Sequence, residues 1–406
     1  MGVYRTGGPA SQGRWPPDPV TSGPGRRSRR DYHADVPDAA VADARTYSPG
    51  LAGVLAGETD IALVDGELGR LLYRGYPIIQ VVQHGTFSQV CELLWTGDWK
   101  PRIPQPPAPL TAPVEAALRQ LPAGTNAMDA LRTAVSVWGA DGRLAWPPTV
   151  EQARAVTAFA PTALAAFARI RQGLDPIDPD PSIEGLAEAF LHQLTGTRPT
   201  AADARALDAY FMVAAEHGFN ASTFAALVII ATHSDLASAI CGAIGALKGP
   251  WHGGAPAEVI DQLHQMGSAD KAEAWIRDKL DHHERLMGFG HRVYRAYDPR
   301  AAALRTVAEQ MGTNAAWLDM AVQVEDIALR LLKEYHPERA LQTNVEFYTA
   351  AVLQGVGLPP DLFPATFALA RHAGWTAHCI EYLKTDKLIR PDVRYTGPQE
   401  RDLPAV

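Results

Sequence analysis

The chain has 406 residues, 47% of them hydrophobic, which suits one large domain or two unequal ones. With 37 Lys and Arg against 45 Asp and Glu, the net charge is −8. That balance argues against nucleic acid or an anionic membrane as main partner, so any bound anion must be held by local arginines. The 3 cysteines, Cys91, Cys241 and Cys379, are widely spaced and contain no CxxC pair. A reducing cytoplasm is the default and no disulfide framework is expected. Cys379 lies in an apolar helical pattern and reads as core. No apolar run reaches the ~18–20 residues of a membrane span, and the longest, Phe224–Ala231, reads as a buried helix segment. The N-terminus shows no apolar h-region of a secretory signal.

In chain order, residues 1–44 are rich in Gly, Pro, Ser and Arg (GGPASQGRWPPDP, GPGRRSRR) without apolar period, and predict a disordered tail. GRRSRR reads as a solvated charge cluster, or alternatively as a transit-type or nucleic-acid tail. From about Tyr47 the chain becomes globular. IALVDGELGRLLYRGY alternates and turns at Asp65-Gly66, which predicts one short hairpin. Helical periods follow in FSQVCELLWTG, VEAALRQL, MDALRTAVSVWG, ARALDAYFMVAAEHG, STFAALVIIATHS, AEVIDQLHQM, AAALRTVAEQM and DIALRLLKEY. Many stop at Gly or Pro. Proline clusters at Pro101–Pro109 and Asp175–Pro181 read as loops. The fold class is all-α with many short helices, and no internal repeat is present.

Four stretches put polar groups where helical periodicity has no use for them. In EHGFNAST a helix is expected to end at His217-Gly218 and another to begin with Asn220 or Ser222 as N-cap; His217 then either caps its own helix or points into a cleft. In KGPWHGGAPAEVIDQLHQM, His252 lies just before a helix N-terminus, which disfavours imidazolium, so a neutral ring near pH 7 is expected. Such a ring can donate one N–H to an oxygen that develops charge. In GFGHRVYRAYDPRA, Asp298 is a good N-cap, Pro299 a good first helical residue, and Arg300 falls in the first turn, making a carboxylate or phosphate site. Gly288 and Gly290 permit backbone contact with a flat ligand, or simply a structural turn. In TNVEFYTAAVL, Thr343 or Asn344 can cap a helix whose first turn holds Glu346, an ordinary N-terminal carboxylate or a base. His282, His283, His291 and Glu284 fit no compact zinc motif, so no metal is expected. A Ser-His-Asp triad has no elbow motif here.

Taken together, Glu216–Ser222, Gly249–Ala255, Gly288–Tyr294 and Asp298–Arg300 resemble citrate synthases in order and spacing. The likeness spans about residues 48–398. It implies a citrate-synthase-like all-α fold with a large helical domain (45–253 and 358–398; dimerisation and oxaloacetate) and a small one (254–357; CoA), followed by a C-terminal tail (399–406). It implies condensation of acetyl-CoA with oxaloacetate and hydrolysis of citryl-CoA to citrate and CoA. His252 matches the donor to the thioester oxygen, and His291 the residue that polarises the oxaloacetate carbonyl. His217, Arg300 and Arg371 match oxaloacetate-binding residues, and Arg390 the arginine that reaches into the neighbour's site of a homodimer. Leu286, Met287, Gly288, Phe289 and Gly290 resemble the backbone segment that holds the CoA adenine, with Arg295 facing a CoA phosphate. No cofactor, nucleic acid or membrane is implied, and the location is cytoplasmic.

One position departs from the family. Glu346, in Asn344-Val345-Glu346-Phe347, stands where most members have Asp, and the extra methylene moves a carboxylate by ~1–1.5 Å on an unchanged backbone. Either Glu346 is the working base, or the chain binds CoA without turning over. Propionyl-CoA, in a 2-methylcitrate synthase, is the alternative acyl donor.

Overall fold

The computed structural model describes residues 47–100, 105–253, 255–290, 294, 296–310, 315–339, 341–398 and 400–404. The expected tail (1–44), His291 and Arg295 lie outside the described residues. Residues up to Gly57 belong to one compact unit and those from Glu58 to a second. The described part of the first is a short 3-10 turn at Pro49–Leu51, in which Leu51 N donates to Ser48 O (3.0 Å).

The second unit opens on an antiparallel sheet of 3 strands, β1 (Ala62–Asp65), β2 (Arg70–Tyr73) and β3 (Tyr76–Pro77), in that order. The first two make the expected hairpin, with Ala62 opposite Tyr73 and Asp65 opposite Arg70. Asp65 closes its turn by accepting from Leu68 N at 2.9 Å. The third strand was not legible, because Arg74 and Gly75, at φ 48° and 89°, reverse the chain too quickly for a period to register.

Helices follow. The first six are α1 (Ile78–His84), α2 (Phe87–Thr96), α3 (Ala112–Arg119), α4 (Ala127–Gly139), α5 (Val150–Ile170) and α6 (Leu186–Thr195). Next come α7 (Ala201–Ala214), α8 (Ala221–Ile230), α9 (Leu236–Leu247), α10 (Ala255–Met266) and α11 (Ala269–Asp281). The last four are α12 (Pro299–Gln310), α13 (Ala315–Tyr335), α14 (Val345–Gly355) and α15 (Phe363–Glu381). Side-chain caps start many of them. Thr86 and Thr149 form capping boxes with Gln89 and Gln152, while Asn126, Thr200, Asn220 and Asp235 accept from N–H groups of the first turn. The described parts of both proline clusters are loops.

The spine is α15. It is buried on nearly all sides and packs against α2, α4, α5, α7, α8 and α9. It contains the apolar helical pattern expected around Cys379; such a helix has no polar face, so amphipathic periodicity does not set its bounds. Helices α10 to α14 pack chiefly on one another, while α12 and α14 also rest on α7, and α12 on α1. Cys91 and Cys379 are core residues. No helix among the described residues is long and apolar enough to cross a membrane.

Two sequence expectations need correction. The run Phe224–Ala231 is only half-buried: Ala226, Leu227 and Ile230 face inward, but Val228 is exposed and Phe224 and Ile229 are partly so. Helix α7 stops at Ala214, short of His217-Gly218. Its end is claimed from outside. Arg371 Nε donates to Ala214 O (2.8 Å), and Tyr73 Oη accepts from Glu216 N (3.2 Å) and donates to Glu216 O (2.9 Å). The backbone is pulled into a turn that Gly218 completes at φ 66°.

Candidate active site

Asp298 anchors the site. It is fully buried, and its Oδ1 accepts from Arg300 N (3.0 Å), the expected N-cap of α12. The same carboxylate accepts from Arg300 Nε (3.1 Å) and Nη2 (2.8 Å), a bidentate pair. Its Oδ2 also accepts from Val345 N (3.1 Å), the first residue of α14. Asn344 occupies the N-cap position of α14 without capping it, because its Nδ2 donates to Gly290 O (2.9 Å) instead. The cap comes from 47 residues away. Arg300 is thereby aimed; burial opposes its charge, but Asp298 and then Glu346 hold the pKa up.

Glu346 sits in the first turn of α14. Its Oε2 is enclosed and has no hydrogen-bond partner. Burial pushes its pKa up, with Asp298 adding to the effect and Arg300 and Arg371 opposing it. Arg371, on α15, is buried and lies over the Phe367 ring at 4.7 Å. Its Nε is committed to Ala214 O. Burial lowers its pKa, while Glu216 opposes that shift.

His252 closes a tight turn after α9, its N–H donating to Gly249 O (2.9 Å). Its Nε2 lies 2.9 Å from Ser222 Oγ, which also accepts from Trp375 Nε1 (3.1 Å). The ring's pKa is lowered to about 4, first by burial and then by Arg371. Neutrality was expected from the helix end; here burial is the leading cause. His217 Nε2 lies 3.2 Å from Tyr294 Oη, with the two rings edge to face.

These groups share one cavity of 320 Å³, lined by His217, His252, Arg300, Arg371 and Glu346 together with Met287, Gly288 and Gly290. Trp251 stands fully exposed at its rim. A larger cavity of 590 Å³ adjoins it through Arg285 and Gly290 and is lined by Leu286, Phe289, His283, His336 and Arg339. The wall between them is the segment 286–290. It is strapped to the start of α14 by Gly290 N to Gln342 O (2.7 Å) and Asn344 N to Gly288 O (3.0 Å). Its glycines have a structural reason as well. Gly288 and Gly290 sit at φ 89° and 79°, and a Cβ on Gly288 would lie 2.9 Å from the Phe347 ring.

Arg390 is exposed and lies outside the residues lining this cavity. Among the described residues no cluster of His, Cys, Asp or Glu has the arrangement of a metal site. Sequence reading missed Ser222, Tyr73, Trp375, Arg285 and the second role of Asp298. Ser222, Tyr73, Trp375 and Asp298 act through partners remote in the chain, and Arg285 lines both cavities, so local patterning carries no signal of them.

A carboxylate with one enclosed, unpaired oxygen, a neutral imidazole and two arginines around one cavity suit a mostly helical enzyme to carbon-acid chemistry on an anionic substrate. A family sequence model described as "Citrate synthase, C-terminal domain" matches residues 50–392. The citrate synthase of Haloferax volcanii is 37% identical over 88% of this chain and 97% of its own. The 2-methylcitrate synthase of Mycobacterium tuberculosis is also 37% identical, over 87% and 92%. The ternary complex of citrate synthase from Thermoplasma acidophilum with carboxymethyl coenzyme A and oxaloacetate superposes with a TM-score of 0.76 at 29% identity, covering 89% and 99%. The chain belongs to the citrate synthase family and is an enzyme of that type.

Proposed function

We propose that the 320 Å³ cavity condenses acetyl-CoA with oxaloacetate and hydrolyses the product thioester to citrate and CoA. The observation that carries this reading is the unpaired Glu346 Oε2 in the same cavity as neutral His252 and two guanidinium groups. Glu346 takes a proton from the thioester α-carbon, and the C–H electrons move toward the thioester oxygen. A thioester α-proton is too weakly acidic for a carboxylate alone, so His252 donates an N–H to that oxygen. Ser222 has one hydroxyl proton, with Asn220 Oδ1 at 2.7 Å and His252 Nε2 at 2.9 Å as its two acceptors, and Trp375 only donates to it. With that proton turned to His252 Nε2 instead of Asn220, the Nδ1–H is left for substrate. The enol carbon then bonds to the oxaloacetate carbonyl carbon, whose oxygen becomes an alkoxide. His291 is assigned by resemblance as the donor to that oxygen. Arg300, Arg371 and His217 hold the dianion. Water attacks the citryl thioester and the CoA thiolate leaves, protonated. No step calls for a metal or redox cofactor.

Backbone groups of Leu286 to Gly290 suit the adenine of CoA, and the adjoining 590 Å³ cavity, with Arg285 and Arg339, suits its phosphates. Arg295 is retained as a further phosphate contact. We place the domain division at 254 and 357, so that α10 to α14 close over the remaining helices and exclude water. The enzyme is assigned to the cytoplasm.

Thiol release from acetyl-CoA plus oxaloacetate tests the reaction, and kcat/KM for propionyl-CoA tests the second reading. The 2-methylcitrate synthase relative keeps that reading in view, at the same 37% identity as the citrate synthase relative. One methylene is worth about 10–200-fold in such a pocket, so a preference for propionyl-CoA of that size would replace acetyl-CoA as the substrate. No release with either would leave a CoA-binding homologue.

The half-exposed apolar face of α8, with Val228, Phe224 and Ile229, supports a homodimer in which Arg390 completes the neighbour's site. Arg390→Ala and His252→Ala proteins should each be nearly inactive. Mixed under subunit exchange, they should recover up to about a quarter of full activity, because each heterodimer has one intact site. Absence of recovery removes the Arg390 assignment.

A further inference from the structure

The turn that carries His217 and Asn220 is held by an unusual row of ionisable groups behind the cavity. Glu216 is fully buried, and its Oε1 accepts from Gly218 N and lies 3.0 Å from His378 Nε2. His378, 1% exposed, places its Nδ1 3.7 Å from Glu381 Oε2. Glu381 Oε2 accepts from Thr59 Oγ1 (2.6 Å), and its Oε1 accepts from Asp60 N (3.0 Å). Lys384 Nζ ends the row, 3.8 Å from Glu381 Oε1 and 3.1 Å from Asp60 Oδ2. The Phe219 ring stands edge-on to His378 at 5.2 Å.

We propose that Glu216, His378 and Glu381 are positioning residues, an acid–imidazolium–acid row that fixes the His217–Asn220 turn at the oxaloacetate end of the cavity. Only the identity of the anion rests on the function proposed above. None of the three residues lines the cavity, so the row acts through the aim of His217 and through Arg371, whose charge Glu216 also sees.

Charge balance supports the assignment. Two carboxylates in such surroundings need a cation between them. Burial pulls His378 down, but Glu216 and Glu381 outweigh it and carry its pKa from 6.5 to about 9. The other charged and titratable neighbours come from two helical or strand elements and the segments that follow them. Arg371 on α15 faces Glu216, Arg74 after β2 and Lys384 after α15 face Glu381, and Tyr73 on β2 clamps the Glu216 backbone. A raised pKa means that the contribution is complete below pH 6.5 and is lost as pH rises through about 9.

The test uses the full chain with His378→Gln, Glu216→Gln and Glu381→Gln. In His378→Gln, KM for oxaloacetate should rise on the order of 10–100-fold while KM for acyl-CoA stays within about threefold. The wild-type kcat/KM for oxaloacetate should fall above pH 9. His378→Gln should lack that limb. Glu216→Gln keeps an acceptor for Gly218 N and should also raise KM for oxaloacetate; Glu381→Gln should move the alkaline limb to lower pH. If His378→Gln does not fold, the two acid variants carry the test. Unchanged KM and an unchanged limb overturn the row, as does an equal rise in KM for both substrates. Should the wild type release no thiol, the reaction assignment fails on its own, and calorimetric Kd for oxaloacetate then reads the row in the same variants.

Discussion

Glu346→Gln is expected to lower kcat by about 10³-fold or more while raising the melting temperature at pH 8. Rate falls because the amide cannot take the α-proton, and general-base catalysis contributes about 10²–10⁴-fold. Stability rises for the opposite reason. Burial pushes the Glu346 pKa up, and Oε2 has no donor to offset its desolvation. A carboxyl whose folded pKa is raised stabilises below its unfolded pKa, and that contribution is lost as pH rises through the folded value. Above that window the ionised group is a cost to the fold that glutamine does not carry. The gain in melting temperature should therefore shrink at acid pH. Glu346→Asp is the companion: if the surroundings are set for glutamate, the shorter acid loses on the order of 10²-fold through a displacement of about 1 Å. Thiol release and scanning calorimetry across pH read both variants. Equal rates in wild type and glutamine variant would remove the base assignment, and a fall in melting temperature would remove the strain.

Gly374→Ala is expected to be a severely damaging single-methyl change. Gly374 lies in the middle of α15, where it faces the turn after α7. A Cβ there would fall well inside contact distance of both Ala215 O and Glu216 Oε2, and neither is the free end of a mobile side chain. One of the two segments must move. Overpacking of this kind costs about 1–3 kcal/mol. The shift would also disturb Arg371 and His217, so melting temperature and oxaloacetate affinity should fall together. Thermal denaturation with oxaloacetate KM measures both. A stable variant with normal oxaloacetate KM would mean that α15 does not approach the turn this closely.

The sequence discloses the cavity better than it discloses what holds the cavity in place. His217, His252, Arg300 and Glu346 are polar or charged residues at helix ends, where amphipathic periodicity does not ask for them, so they stand out locally. The expected neutrality of His252 agrees with the structure, but burial and Arg371 do more than the helix end. Desolvation depends on residues distant in sequence, such as Ser222 and Trp375, and no spacing reports it. The same holds for α7, which ends early because Tyr73 and Arg371 take its last backbone groups. Helix α15 shows in the sequence only as the apolar helical pattern around Cys379, and its bounds do not, because it is buried on nearly all sides; the Phe224–Ala231 run misleads because an apolar surface face and an apolar core segment share one composition.

Asp298 serves three recipients with two oxygens: the first turn of α12, the Arg300 fork and the first N–H of α14. Glu346 is the very next residue after that N–H. Arg300 and Glu346, proposed above to bind the anion and abstract the proton, are thus mounted on one pivot, and neither can be re-aimed without turning the other. The angle between them is inherited as a single unit.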